Sequence, residues 1–262
     1  LILKWSEKVD EGGAGSRYIL IISYMMGLAI SVHMLNLLTI PFIALIMYMK
    51  LNPKDDGVEM MVHMLAVIGV MAIAILIGIE MALPATSGEY LRLSSSELSS
   101  KLLVLGVIFA TITGGGLWGL SQVFKGERRG RFWKQVLLMG AAGASYLIIY
   151  LGIIKGMPKL ANIMGNIMNT DNAVSAIGAT FTVSILILMA VIYFAPSIFK
   201  SRATEVRLSI MALLMVLVGF TSYETIFIRS AQNPNIDEND PETVSRAVSY
   251  LEREQYGSYP MF

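Results

Sequence analysis

Ser31-Val-His-Met-Leu-Asn-Leu-Leu-Thr-Ile-Pro41 lies within the apolar block Tyr18–Met49, where His33 is the one titratable side chain other than tyrosine. As a single straight helix that block would be about 48 Å long at ~1.5 Å per residue. The hydrocarbon core of a bilayer is only about 30 Å thick. The block must therefore tilt steeply or turn back on itself. His33 to Asn36 is the polar stretch at which it can turn. Pro41 suits the first turn of a return helix, where a missing N–H costs little. The expectation is two spans, 18–33 and 37–49, meeting at a polar tip that holds His33, Asn36 and Thr39.

Working outward, the 262 residues are 55% hydrophobic and 15% charged, with mean hydropathy +0.64. Soluble domains carry roughly 25% charge, and here the apolar residues come in long runs. The fold class expected is all-α, a polytopic transmembrane helix bundle. About seven spans fit the hydropathy: 18–33, 37–49, 60–83, 102–123, 135–154, 175–194 and 208–228. Residues 1–228 then form the membrane region and 229–262 a polar tail, with a short helix near 241–254. The absence of cysteine rules out a disulfide framework, a thiolate zinc site and a cysteine nucleophile. The 18 methionines and 23 glycines suit adaptable, close helix packing in lipid. The chain opens Leu-Ile-Leu-Lys-Trp and closes Tyr-Pro-Met-Phe, so both ends read as cut from a longer protein.

Basic residues orient the spans. With the N-terminal end cytoplasmic and seven spans, the inner side collects Lys4, Lys8, Arg17, Lys50, Lys54, Lys125, Arg128, Arg129, Arg131, Lys134, Lys200, Arg202 and Arg207. The outer loops hold Arg92, Lys101, Lys155 and Lys159. That is 13 against 4. Reading the first block as one span gives 10 against 7 instead. The broken hairpin is the better fit. It places the His33 tip, residues 85–101, residues 155–174 and the tail outside the cytoplasm.

Few residues point to chemistry. His33 and Asn36 have two readings: they satisfy backbone groups freed at a helix break, or they contact a lipid-linked phosphate or a sugar at the outer surface. Glu80 and Glu224 are carboxylates inside apolar runs, where a charge at mid-bilayer costs roughly 2.5–3.5 kcal/mol. Each sits near a span end, where it can instead reach the interface. Asp171 has no partner at a telling spacing. No second histidine or carboxylate lies at ligand spacing from His33, and His63 belongs to the cytoplasmic end of another span. Gly114-Gly115-Gly116 lacks the Lys-Ser/Thr of a phosphate loop and reads as a place where helices approach closely. The basic run 125–134 is short and flanked by spans, so no nucleic-acid partner is expected.

Two stretches resemble a known family. Leu3-Lys-Trp, then Arg17-Tyr-Ile-Leu-Ile through Gly27-Leu-Ala-Ile-Ser-Val-His-Met-Leu-Asn-Leu-Leu-Thr-Ile-Pro41, is similar to bacterial membrane proteins related to protein O-mannosyltransferases. In the tail, Ile228-Arg-Ser230, Asn233-Pro-Asn-Ile-Asp-Glu-Asn239, Pro241 and Tyr250-Leu-Glu-Arg-Glu-Gln-Tyr-Gly257 resemble the same family's signature. Asp237 stands where the family has Asn. Residues 50–205 are only generically similar.

The resemblance implies a GT-C class membrane glycosyltransferase. Its donor would be a polyprenyl-phosphate sugar and its acceptor an extracytoplasmic group, such as a protein Ser or Thr. It also implies a bacterial inner (cytoplasmic) membrane location with a periplasmic tail. His33, Asn36, Arg229 and Arg253 are the substrate-binding candidates it supports. The family's acidic loop motif, proposed to be catalytic, would precede Leu1, so the catalytic residue is unknown here and this piece is expected to be inactive alone. A divalent metal is compatible with such chemistry, yet nothing in the chain supplies its ligands by spacing. A transporter segment with broken helices, or a structural envelope scaffold, are the alternative readings.

Overall fold

The computed structural model describes residues 1–9, 15–53, 56–82, 95–198 and 200–252. Among these the protein is all-α. The elements are α1 (Ile2–Lys8), α2 (Gly15–Val32), a 3-10 helix Met34–Leu38, α3 (Thr39–Leu51), α4 (Gly57–Ala82), α5 (Ser95–Val123) and α6 (Glu127–Leu147). A π-helical stretch, Ile148–Ile154, leads to α7 (Gly156–Met168) and α8 (Ala173–Ile198). The chain continues through α9 (Ala203–Phe220), a 3-10 turn Thr221–Tyr223, α10 (Glu224–Ser230) and α11 (Val244–Glu252). The described residues contain no strand, only an isolated antiparallel bridge between Asn172 and Thr243.

Six described segments are long and apolar enough to cross a membrane: Gly15–Val32, Met34–Leu51, Gly57–Ala74, Glu127–Met168, Ala173–Phe194 and Lys200–Ser230. The protein is a polytopic helical bundle. α5 is helical through the whole of the expected span 102–123. Outward-facing Leu137, Leu186 and Ile187 are more than half exposed. That is normal where the surrounding solvent is acyl chain.

The chain divides into two compact units, Leu1–Met47 with Ala142–Tyr259, and chiefly Tyr48–Ala141. In the first, α2 packs against α9 and α9 against α8. Small residues let α2 and α9 meet: a Cβ on Gly27 would collide with the Val216 carbonyl, and one on Gly219 with that of Tyr24. Ile30, Leu37, Phe181, Leu217, Phe220 and Phe227 fill the core. Trp5 of the Leu3-Lys-Trp motif is buried, with its Nε1 3.3 Å from where a Cβ on Gly15 would lie.

The expected polar connection 155–174 instead contains α7, followed by Asn169 in the left-handed region at φ 49°. α11 docks on α7 and α8. Two backbone bonds fix it, Ala173 N–H to Glu242 O at 2.8 Å and Val244 N–H to Asp171 O at 2.9 Å. α11 is thus part of the first unit's core.

In the second unit α4 packs on α5. Of the three consecutive glycines, only Gly116 makes a close approach: an added Cβ would lie 2.6 Å from Val70 Cγ1, while Gly114 and Gly115 face open space. His63 is buried between Phe124 and Phe132. Its Nδ1 lies 2.7 Å from Gln135 Oε1, the amide oxygen accepting. Glu59 nearby takes the Arg131 guanidinium at 2.9 Å. This network holds α4 to α6 and pairs the buried His63 ring with the Gln135 amide and the Arg131 guanidinium with Glu59.

Candidate functional site

The helix break falls at His33. α2 ends at Val32, and His33 adopts extended backbone with φ −147° and ψ 113°. Extended backbone cannot continue the helical ladder, so groups on either side need other partners. The tip supplies them. His33 Nδ1 accepts the Leu35 N–H at 3.2 Å. Asn36 Nδ2 donates to Ala29 O at 2.8 Å, and the Thr39 hydroxyl donates to Asn36 O at 2.7 Å. Leu37, almost fully buried, anchors the turn in the core.

Capping decides the His33 tautomer. A neutral ring that accepts at Nδ1 carries its proton on Nε2. The side chain is exposed, and among the described residues nothing pairs with that Nε2–H. His33 therefore serves the backbone with one nitrogen and presents a donor with the other.

Beyond the break lies an apolar cleft of about 460 Å³. Ile19, Ile22, Ser23 and Met26 of α2 line one side, and Ile40, Ile43, Ala44 and Met47 of α3 another. Ile148-Ile149 and the 209–216 stretch of α9 complete it. In an unbroken helix Ile19 and Met47 would be about 42 Å apart. That both line one cleft shows that α3 does not continue α2 in a straight line. The Thr39 hydroxyl lies 3.5 Å from Met26 Sδ, which joins the polar tip to the cleft's end. A polar head region bordering an apolar channel of this size matches an amphiphilic ligand.

Other groups collect at the same end. Ser31 and Ser222 hydroxyls are 2.9 Å apart, which fixes the Thr221–Tyr223 turn beside the tip. Glu224 follows at once. Its Oε1 would lie 2.8 Å from a Cβ on Gly178, so it occupies space that the glycine leaves open on α8. No described residue pairs with that carboxylate. Arg229 is exposed on α10 with its guanidinium unpaired among the described residues. No contact joins it to His33 or Asn36. Arg253 lies outside the described residues, and the Glu80 side chain outside those described. His63 belongs to the Gln135 network, and Asp171 contributes its backbone carbonyl to α11.

The tail motif is built on turns. Asn233, Asn239 and Asp240 have positive φ of 49°, 67° and 42°, conformations that Asn and Asp tolerate better than most residues. Ser230 donates to Asp237 Oδ2 at 2.6 Å and closes the loop. Asp237, Asp240 and Glu242 bring carboxylate oxygens within 4.8 Å of one another, a grouping with the donor chemistry for a divalent cation. Ser230 already occupies Asp237, and Arg246 pairs with Asp240. Those bonds make the group part of the tail's own framework. Sequence spacing signalled neither this grouping nor the cleft. The cleft arises only when distant segments pack. The carboxylates belong to one loop and meet through its turns at Asn239 and Asp240.

Residues 1–57 match a family model described as the protein O-mannosyl-transferase TMEM260 N-terminal domain. The match makes this part of the chain similar to the N-terminal domain of an O-mannosyltransferase-related family. It includes the His33 tip and ends before the tail motif. No curated protein and no solved structure matches the chain.

Proposed function

We propose that the chain is part of a GT-C class membrane glycosyltransferase that moves a sugar from a polyprenyl-phosphate donor to an extracytoplasmic acceptor, a protein Ser or Thr. The observation that carries this reading is the apolar cleft bordering a polar tip whose His33 Nε2–H no described residue takes. A polyprenyl chain is apolar and flexible, and its phosphate is anionic. The cleft suits the chain and the tip suits the phosphate.

The reaction class is inverting transfer. A base removes the acceptor hydroxyl proton as that oxygen attacks the anomeric carbon. The bond from that carbon to the phosphate oxygen breaks, and the lipid phosphate leaves with the electron pair. Donors and cations at the membrane surface stabilise the departing phosphate. In this chain His33 Nε2–H, Arg229 and Arg253 take that role, and Asn36 holds the tip in shape. The base belongs to the family's acidic loop motif, which has no counterpart in these residues. The site faces the periplasm of a bacterial cytoplasmic membrane, with the N-terminal end cytoplasmic, as the loop charges favour.

The test uses the full-length protein with a labelled polyprenyl-phosphate sugar and a Ser/Thr-containing protein acceptor. Label should pass to the acceptor. Solute uptake into proteoliposomes with no transfer would overturn the reading in favour of a transporter.

A further inference from the structure

The second unit carries a basic turn that the proposed transfer chemistry does not use. α5 ends at Val123, Gly126 reverses the chain at φ 57°, and α6 begins at Glu127. Lys125, Arg128, Arg129, Arg131 and Lys134 gather there with Glu127 as the one acid in the run. Glu59 offsets only part of this charge. Arg131 holds Glu59 at 2.9 Å, and Arg128, 72% exposed, stands 3.7 Å from it. Lys125, Arg129 and Lys134 have no carboxylate partner among the described residues.

Spacing along α6 gives this charge a direction. Arg129, Trp133 and Leu137 are four residues apart and share one helical stripe. Trp133 is 40% exposed and Leu137 74%. Over about 12 Å of helix the stripe passes from guanidinium to indole to bare leucine. That order matches headgroup, interface and hydrocarbon, and Trp favours the middle layer. Val123, at the end of α5, and Trp118, a turn and a half before it, are also well exposed.

We infer that Lys125, Arg129 and Lys134, with the Trp133–Leu137 stripe, form a binding site for an anionic phospholipid. The three cations take its phosphate headgroup, and an acyl chain lies along Trp133 and Leu137. A free phosphate or a nucleic acid would use the charge and leave the apolar stripe bare. A zwitterionic lipid would use the stripe and leave the charge unbalanced. Only an anionic lipid matches both. The site is independent of the transferase reading.

Bromine-labelled lipids quench tryptophan on contact and provide the test. Trp5 is buried, so Trp118→Phe leaves Trp133 as the lipid-accessible reporter. The protein is reconstituted into phosphatidylcholine vesicles containing either brominated phosphatidylglycerol or brominated phosphatidylcholine at equal mole fraction. Phosphatidylglycerol should quench more strongly. That preference should fall roughly fivefold for each cation removed among K125Q, R129Q and K134Q. Arg131 and its bond to Glu59 remain, so the thermal midpoint should stay put. The single variant R129Q reads the same effect with the least perturbation. Equal quenching by the two lipids, or full preference in the triple variant, would overturn the site. Loss of the preference on adding inorganic phosphate at constant ionic strength would overturn a lipid as its occupant.

Discussion

Gly27 of α2 and Gly219 of α9 face each other so closely that a Cβ added to either would lie 3.0 Å from the other's Cα. Each added carbon would also strike a backbone carbonyl on the opposite helix, and backbone cannot swing aside as a side chain can. Gly27→Ala or Gly219→Ala must therefore force the helices apart. Thermal unfolding in detergent micelles should show a loss toward the upper end of about 1–3 kcal/mol. Gly140→Ala, on α6 with nothing within 4 Å, should change stability little.

The same helix pair sets the tip, so the two roles of His33 can be separated there. His33→Ala removes both the cap acceptor and the Nε2–H donor. It should cost about 1 kcal/mol of stability and also reduce transfer by the full-length enzyme. His33→Asp keeps an acceptor for the Leu35 N–H and places a negative charge where a phosphate would sit. It should fold as well as the parent and transfer far less. Normal transfer by His33→Asp would return His33 to a purely structural role.

The break at His33 was legible because length and chemistry agreed. The Tyr18–Met49 block exceeds one membrane thickness, and its polar residues and proline cluster at one place. α7 was not. Asn162, Asn166 and Lys159 interrupt its apolar residues, so it lacks the continuous run that marks a span, and its packing against α8 and α11 supplies the missing stabilisation. Among the glycines, sequence drew attention to the consecutive three, yet Gly27 and Gly219 make the closest contact. A lone glycine carries no mark of what will lie opposite it. The cleft was invisible for the same reason, since its walls come from segments as distant as Ile19 and Val216.

Filling the cleft should separate lipid-chain binding from phosphate binding. Ala44 and Ala212 line it with small side chains. Ala44→Phe and Ala212→Phe should raise KM for a long-chain polyprenyl-phosphate donor severalfold while altering kcat less. A donor with a shortened chain, which fills less of the cleft, should discriminate less between variant and parent. An equal effect on both donors would place the chain elsewhere.

The tail tests whether the Asp237 departure from the family's Asn carries charge-dependent work. Asp237 accepts the Ser230 hydroxyl at 2.6 Å through one oxygen, and an asparagine carbonyl could accept the same bond. Asp237→Asn should therefore retain the loop between α10 and α11, with stability within about 0.5 kcal/mol of the parent. Asp237→Ala leaves the nearly buried Ser230 hydroxyl without its acceptor, at a cost of about 1–3 kcal/mol. Ser230→Ala removes the donor as well, so the double variant should be no less stable than Asp237→Ala. A double-mutant cycle on thermal stability measures the coupling. If Asp237→Asn is as damaging as Asp237→Ala, the carboxylate charge matters beyond this bond. The partner to test next is then a divalent cation shared with Asp240 and Glu242, titrated against the wild-type thermal midpoint.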